Sequence, residues 1–380
     1  MNQHLKKILI VAHHYPPHIA GVGMVAHNQA KKLVSAGYDV TVITSDTSKD
    51  ERSGIMDGVN VVRVKALNFT EDRLGAPFPI FFPGLITTLI RFTRDADVIH
   101  IHETFYMSSF FAAIIARFYK KPIALTQHIA MVAHPSRLIV FIQKAVYATT
   151  GAIIFSLSKT IFVYNDRVRR FLIEQKVPET KIRVLMNGVD TDLFCVANGE
   201  KNALKTKLGL DLKRKVVLFV GRLVPKKGFD KVLAAANQEY QIAFAGCEPI
   251  KHASPHVVFL GKMNHERLSE VYRASDIFVL PSESEGFPLS IQEAMASGLP
   301  IITSNDDGYA SYALDARLVR LIDKPTKESV RESISATIYD EDLLKNMSAY
   351  SRDYAIANFS WPAILQKLIS TYHELVTPKI

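Results

Sequence analysis

The chain has 380 residues, 48% hydrophobic and 22% charged, which is ordinary for a globular protein and enough for two domains. Its formal net charge is +9, and all of the excess lies in the first half: residues 1–190 carry 23 Lys+Arg against 14 Asp+Glu, leaving 23 of each in residues 191–380. The two cysteines, Cys195 and Cys247, give neither a disulfide framework nor metal-ligand spacing, and no basic stripe interleaved with aromatics marks a nucleic-acid binder.

The apolar run in residues 1–15 is too short for a signal peptide and reads as a first strand over residues 7–12. The stretch Pro16-Pro17-His18-Ile19-Ala20-Gly21-Val22-Gly23 joins it to a helix predicted over residues 24–36. Glycines ahead of a helix suit the close approach of a phosphate or an acceptor. A dinucleotide fingerprint would need glycine directly after the strand, whereas here several residues intervene and Ala26 stands at the third glycine position; Asp46 is therefore not read as its acidic partner. Further strands are predicted over residues 39–44, 59–64, 98–101, 123–126 and 160–163, with a helix over 105–119. No membrane-crossing helix is read: residues 78–90 hold two prolines and a glycine, and residues 138–164 are cut by Lys144 and Lys159.

Asn187-Gly188-Val189-Asp190 is a turn signal, after which the pattern restarts with strands over 215–220, 241–245, 256–260, 277–280 and 300–303. A last helix over 361–376 has Ser360 as its N-cap and Pro362 in its first turn. Strands alternating with helices imply parallel sheets with crossover helices. The expectation is two doubly wound α/β domains, residues 1–186 and 187–358, with residues 359–380 packing back on the first. Such sheets bind ligands beyond the carboxyl ends of their strands, so the chemistry is expected between the domains.

Residues 282–300 read SESEGFPLSIQEAMASGLP. Pro288 suits the first turn of a helix running to about Ser297, where Gly298 ends it. Gly286 lets the backbone approach a ligand closely. The helix head around Phe287, Pro288, Leu289 and Ser290 offers free N–H groups and partial positive charge, a site for phosphate or sugar hydroxyls. Glu285 lies just outside that end, and Glu293 about 1.5 turns within. By spacing alone, two glutamates eight apart are more often a solvated surface.

The combination is more specific. Glu285-Gly286-Phe287, Glu293-Ala294-Met295 and Gly298-Leu299-Pro300 together resemble the Glu-x7-Glu signature of retaining glycosyltransferases of family 4. The resemblance covers nearly the whole chain and implies a GT-B fold, two Rossmann-like domains facing a central cleft. It implies diphosphate binding by Arg222 and Lys227 in Gly221-Arg222-Leu223-Val224-Pro225-Lys226-Lys227-Gly228, bidentate for Arg and as a point charge for Lys. The loop carrying Gly21 and Gly23 resembles the family's Pro-Pro…Gly loop. His128 takes the place of a histidine that contacts the donor sugar, although Ile129 replaces the usual glycine. Glu285 would orient the sugar and Glu293 the ribose. His102 in Asp97-Val98-Ile99-His100-Ile101-His102 reads either as lining the acceptor side or as a core histidine. Gly261 and Met263 fall where the family's backbone holds the nucleobase, or in an ordinary turn.

Two departures fall on the donor side. The chain between Gly246 and His256 is short where the family carries a helix, and Ser304-Asn305-Asp306-Asp307-Gly308 stands in place of a Gly-Gly-x-x-Glu element. The donor's base and sugar therefore stay open. The implied reaction moves a hexose-type sugar from a UDP- or GDP-linked donor to a hydroxyl of a saccharide or lipid-linked saccharide, with no cofactor and no metal. The alternatives are a sugar-nucleotide epimerase of the same fold and a non-catalytic nucleotide-binding scaffold subunit. The basic first half reads either as surface drift or as a face turned toward an anionic membrane. A cytoplasmic protein is expected, with attachment to the inner face of the cell membrane following from the second reading.

Overall fold

The computed structural model describes residues 5–17, 21–46, 53–67, 80–131, 136–250, 254–283 and 286–377. Its strands in the first half are β1 Lys7–Ala12, β2 Asp39–Asp46, β3 Gly54–Met56, β4 Val59–Leu67, β5 Ile80–Phe81, β6 Val98–His102, β7 Ile123–Gln127, β8 Thr160–Val163 and β9 Ile182–Val184. The second half supplies β10 Val216–Val220, β11 Gln241–Ala245, β12 Val257–Phe259, β13 Ile277–Leu280, β14 Ile301–Ser304 and β15 Arg320–Ile322. Contacts divide the chain into two compact units, Met1–Leu185 with Leu365–Ile380, and Met186–Ile364.

The first unit's sheet runs β3-β4-β2-β1-β6-β7-β8-β9, with β5 beside β4. Only β3 and β5 are antiparallel to β4; the other pairings are parallel. Every residue of β6, β7 and β8 is buried, as a sheet covered by helices on both faces requires, including the polar His100, His102, Thr126 and Gln127. The helix Gly84–Asp95 buries Leu85, Leu89 and Thr93, one face at a spacing of four. The helix Met107–Phe118 buries Ala112, Ala113 and Ala116, whose small side chains allow close packing on the sheet.

The second unit's sheet is parallel throughout, in the order β12-β11-β10-β13-β14-β15. The order reverses between β10 and β13, and in the first unit between β1 and β6. At such a reversal the connections leave toward opposite faces of the sheet, opening a crevice beyond the carboxyl ends. The functional residues of each unit belong beside these two gaps.

The structure departs from the sequence reading in several elements. The short strands β3, β5, β9 and β15 were not anticipated. The first helix is Gly21–Ser35, so Gly21 and Gly23 sit in its first turn rather than ahead of it. Residues 137–157, read as interrupted by Lys144, form one apolar helical run of 21 residues, long enough to cross a membrane, with a π-turn at Tyr147–Gly151. Tyr147, Gly151, Ile154 and Phe155 of this run are buried in the first unit.

The final helix Trp361–Val376 contributes to both units. Its start belongs with the second: a Cβ on Gly188 would lie 2.5 Å from the Trp361 ring, so only glycine fits there, and the Val189 N–H donates to the Phe359 carbonyl at 2.7 Å. Its later turns belong with the first. Tyr372 is fully buried with its hydroxyl 2.6 Å from His100 Nδ1, while His100 Nε2 lies 2.7 Å from Thr126 Oγ1. Arg183 donates to Thr371 Oγ1 at 3.0 Å and pairs with Glu374 at 2.5 Å. Tyr372→Phe leaves a buried imidazole nitrogen unpaired and should cost about 1–3 kcal/mol in denaturant unfolding. An unchanged midpoint would contradict this role for the terminal helix.

Candidate active site

In the second unit, the loops after β10 and β13 flank the gap in strand order and are fastened to each other. Gly228, at φ +68°, ends the turn carrying Arg222 and Lys227; a Cβ there would lie 2.4 Å from the Pro281 carbonyl oxygen. The Glu283 N–H donates to the Lys226 carbonyl at 2.8 Å, and the Glu283 carboxylate pairs with Lys231. Arg222 is exposed and Lys227 half-buried. The cationic turn is thus held against the chain that leads into the helix Leu289–Ala296.

Three glycines form a shelf beyond β10, β11 and β12. Gly221, Gly246 and Gly261 have φ of +152°, +79° and +75°. The Gly221 N–H donates to the Ala245 carbonyl and the Gly246 N–H to the Gly261 carbonyl. No side chain rises from these positions, so a flat ligand can lie against the backbone. Gly246, not among the predicted site residues, belongs to this shelf; Met263, half-buried, follows Gly261.

Pro288 precedes the helix, whose first N–H groups lack intrahelical acceptors. Gly298, at φ +70°, closes it, with its N–H on the Met295 carbonyl. Gly286, Pro288 and Ser290 are half-buried and Leu289 is exposed. The Phe287 ring is buried, stacked 4.2 Å from Tyr312 and packed against Tyr309 and Phe359, which leaves its backbone available to a ligand. Ser284 and Glu285 lie outside the described residues.

Glu293 is 5% exposed, inside the helix. The Tyr272 hydroxyl lies 3.0 Å from Glu293 Oε2; Oε1 has no partner among the described residues. Burial raises its pKa to about 7, and the Tyr272 hydroxyl pulls the other way. A largely buried carboxyl with one protein partner can bond to a ligand through its other oxygen.

In the first unit, Gly23 is buried: a Cβ there would lie 2.6 Å from the His14 carbonyl oxygen, whereas Gly21 is exposed with open space around it. Gly23 is thereby explained by packing of the helix against the loop after β1. His128 follows β7 and is half-buried, with Nε2 at 3.1 Å from His102 Nδ1. Burial and the neighbouring His102 hold its pKa well below the ordinary value, so it is a neutral hydrogen-bonding group at neutral pH. His102 and His100 are both fully buried, which gives His102 the place of a core residue supporting His128. Glu103, which the sequence reading passed over, completes this cluster. It is fully buried at φ +71°, and burial raises its pKa to about 7 against four hydrogen bonds that lower it.

A family model described as Glycosyltransferase Family 4 matches residues 19–193, and one described as Glycosyl transferases group 1 matches residues 200–354. This chain belongs to the family 4 glycosyltransferases. As a member it uses a nucleotide-sugar donor. The family 4 enzyme is 25% identical to an uncharacterised glycosyltransferase of Methanocaldococcus jannaschii, over 96% of this chain and 97% of that one. It is 27% identical to a GDP-mannose-dependent alpha-mannosyltransferase of Mycolicibacterium smegmatis, over 97% and 98% respectively. Its fold matches that of Anabaena HepE, solved in complex with UDP, with a TM-score of 0.74 and 16% identity over 97% of this chain and 100% of that one. The two Rossmann-like sheets are those of the GT-B fold.

The buried carboxyl of Glu293 has a signed consequence. Its pKa is about 7 in the fold and near 4.5 when the chain unfolds. The unfolded state therefore gives up its proton first as pH rises, and this group's contribution to stability, complete below about 4.5, is lost as pH approaches 7. Without ligand, Glu293→Gln should gain stability relative to the parent enzyme across that window, read by denaturant titration at several pH values. A difference independent of pH would contradict the assignment.

Proposed function

We propose that this enzyme transfers a hexose-type sugar, with retention of anomeric configuration, from a UDP- or GDP-linked donor to a hydroxyl of a saccharide or lipid-linked saccharide in cell-surface polysaccharide or glycolipid synthesis. The observation that carries this reading is the half-satisfied carboxyl of Glu293, buried just inside a helix head at the gap in strand order between β10 and β13. The ribose hydroxyls bond to its free oxygen, while the helix head at Leu289 and Ser290 and the cations Arg222 and Lys227 take the diphosphate. The glycine shelf after β10–β12 receives the base. A GDP-dependent relative and a UDP-bound structural neighbour support both nucleotides as first candidates.

As the sugar leaves, negative charge grows on the diphosphate and positive charge on the anomeric carbon. Preorganised N–H groups and cations stabilise the first, each by about 3 kcal/mol in the transition state. Glu285 orients the sugar, and neutral His128 bonds to it without adding repulsive charge. The departing phosphate accepts the proton of the acceptor hydroxyl on the face it vacates, so no separate protein base is required.

Arg222→Ala and Lys227→Ala should each lower kcat/KM by about a hundredfold or more while leaving the thermal midpoint unchanged, since neither is buried. Near-parental turnover in both would defeat the diphosphate assignment. Glu293→Ala should weaken UDP or GDP binding more than Glu285→Ala in calorimetry, and the reverse order would contradict the ribose role.

A membrane-held acceptor is supported by the helical run Arg137–Leu157. It exposes Leu138 (66%), Phe141 (67%), Ile142 and Ile153, and bears Arg137 and Lys144 but no acidic residue. The adjoining helix Met107–Phe118 exposes Ile114 and Phe118. Both helices end at a cavity of about 900 Å³ lined by Lys120, Lys121, Lys159 and Lys181, and also by Asp97 and by Glu374, which pairs with Arg183. Exposed apolar side chains on a helical run that carries Arg137 and Lys144 and no acidic residue suit the headgroup region of an anionic leaflet. The enzyme should float with anionic vesicles, and Leu138→Asp with Phe141→Asp should abolish flotation. Absence of the parent enzyme from every vesicle fraction would remove membrane attachment from the proposal.

A further inference from the structure

We infer that Glu103 is a positioning residue, a buried carboxyl group that fixes the backbone carrying His128. The inference rests on the role proposed for His128. Glu103 directly follows β6 in the left-handed region, at φ +71°, a conformation that costs a non-glycine residue about 1 kcal/mol or more and persists where surrounding structure enforces it. That turn directs its carboxylate across the end of β7. Oε2 accepts from the N–H groups of His128 at 3.2 Å and Ile129 at 3.3 Å. Oε1 accepts from the Thr104 N–H at 3.0 Å and from Gln127 Nε2 at 2.5 Å.

The surrounding bonds close the arrangement. Gln127 Nε2 also donates to the Ile129 carbonyl at 2.8 Å, and Gln127 Oε1 accepts from the Thr104 hydroxyl. The Glu103 N–H donates to the Thr126 carbonyl at 2.8 Å, and its own carbonyl accepts from Ser109 Oγ at 2.6 Å. Both carboxylate oxygens therefore face donors only. A carboxylate satisfies all four, whereas a glutamine amide must turn its NH2 toward donors on one side. Among the described residues no cation is bonded to this carboxyl, which is held by N–H dipoles. The consequence falls on His128, whose imidazole meets His102 at 3.1 Å and whose backbone is tied by Glu103 on both sides of its peptide link to Ile129.

The test is a double-mutant cycle on the full-length enzyme, using the donor found by screening UDP- and GDP-sugars, with kcat and donor KM measured for Glu103→Gln, His128→Ala and the pair. Glu103→Gln should lower kcat by about ten- to a hundredfold with donor KM within about twofold. In the His128→Ala background it should lower kcat no further, because the group it positions is gone. An equal loss in both backgrounds, or an unchanged kcat in the single variant, would overturn the inference. An unchanged kcat in His128→Ala alone would retire the role of His128 and this inference with it. Should Glu103→Gln fail to fold, Gln127→Met carries the same cycle: it removes the amide tie to Glu103 and to the Ile129 carbonyl while keeping the volume and the carboxylate.

Discussion

The reversal of strand order between β10 and β13 is the constraint on which the donor side depends. Adjacent parallel strands whose connections leave in opposite directions cannot cover the carboxyl edge between them. The sheet thus opens a crevice without any side chain being cut back to make it. What sequence adds is the lining. Gly221, Gly246 and Gly261 keep the shelf bare, and Gly228 lets the cationic turn press against Pro281. The helix behind the crevice brings its head and Glu293 to the same edge.

The two buried glutamates show one chemistry in two uses. Burial lifts both Glu103 and Glu293 to a pKa of about 7. Glu103 meets four donors and has no acceptor capacity facing outward, so it is part of the scaffold. Glu293 meets one tyrosine hydroxyl, and its other oxygen has no partner among the described residues. The number of donors around each carboxyl, more than its exposure, separates a group that holds the protein from a group suited to hold a ligand.

The inner strands were legible because a parallel sheet covered on both faces demands unbroken apolar runs, and β1, β8, β11 and β13 fall on the residues read for them. The short strands β3, β5, β9 and β15 are two or three residues long and too brief for any period to show. Asp57-Gly58 between β3 and β4 was a hairpin signal that went unread. Lys144 misled in the opposite direction: it is exposed on its helix and interrupts nothing. At the site, the Glu-x7-Glu spacing announced Glu293 through its flanking glycine and proline. The burial of the Phe287 ring was not legible, because its aromatic partners come from residues 309–312 and 359, far along the chain. Glu103 was invisible for a similar reason: its meaning lies in a backbone angle and in partners about 25 residues away.

A crystal structure with UDP or GDP bound would probe the donor side most directly. The diphosphate should lie between the helix head at Leu289–Ser290 and the Arg222 and Lys227 side chains, with the ribose hydroxyls on Glu293. A nucleotide seated against the first unit's Gly21–Gly23 turn, with Glu293 still bonded only to Tyr272, would contradict it.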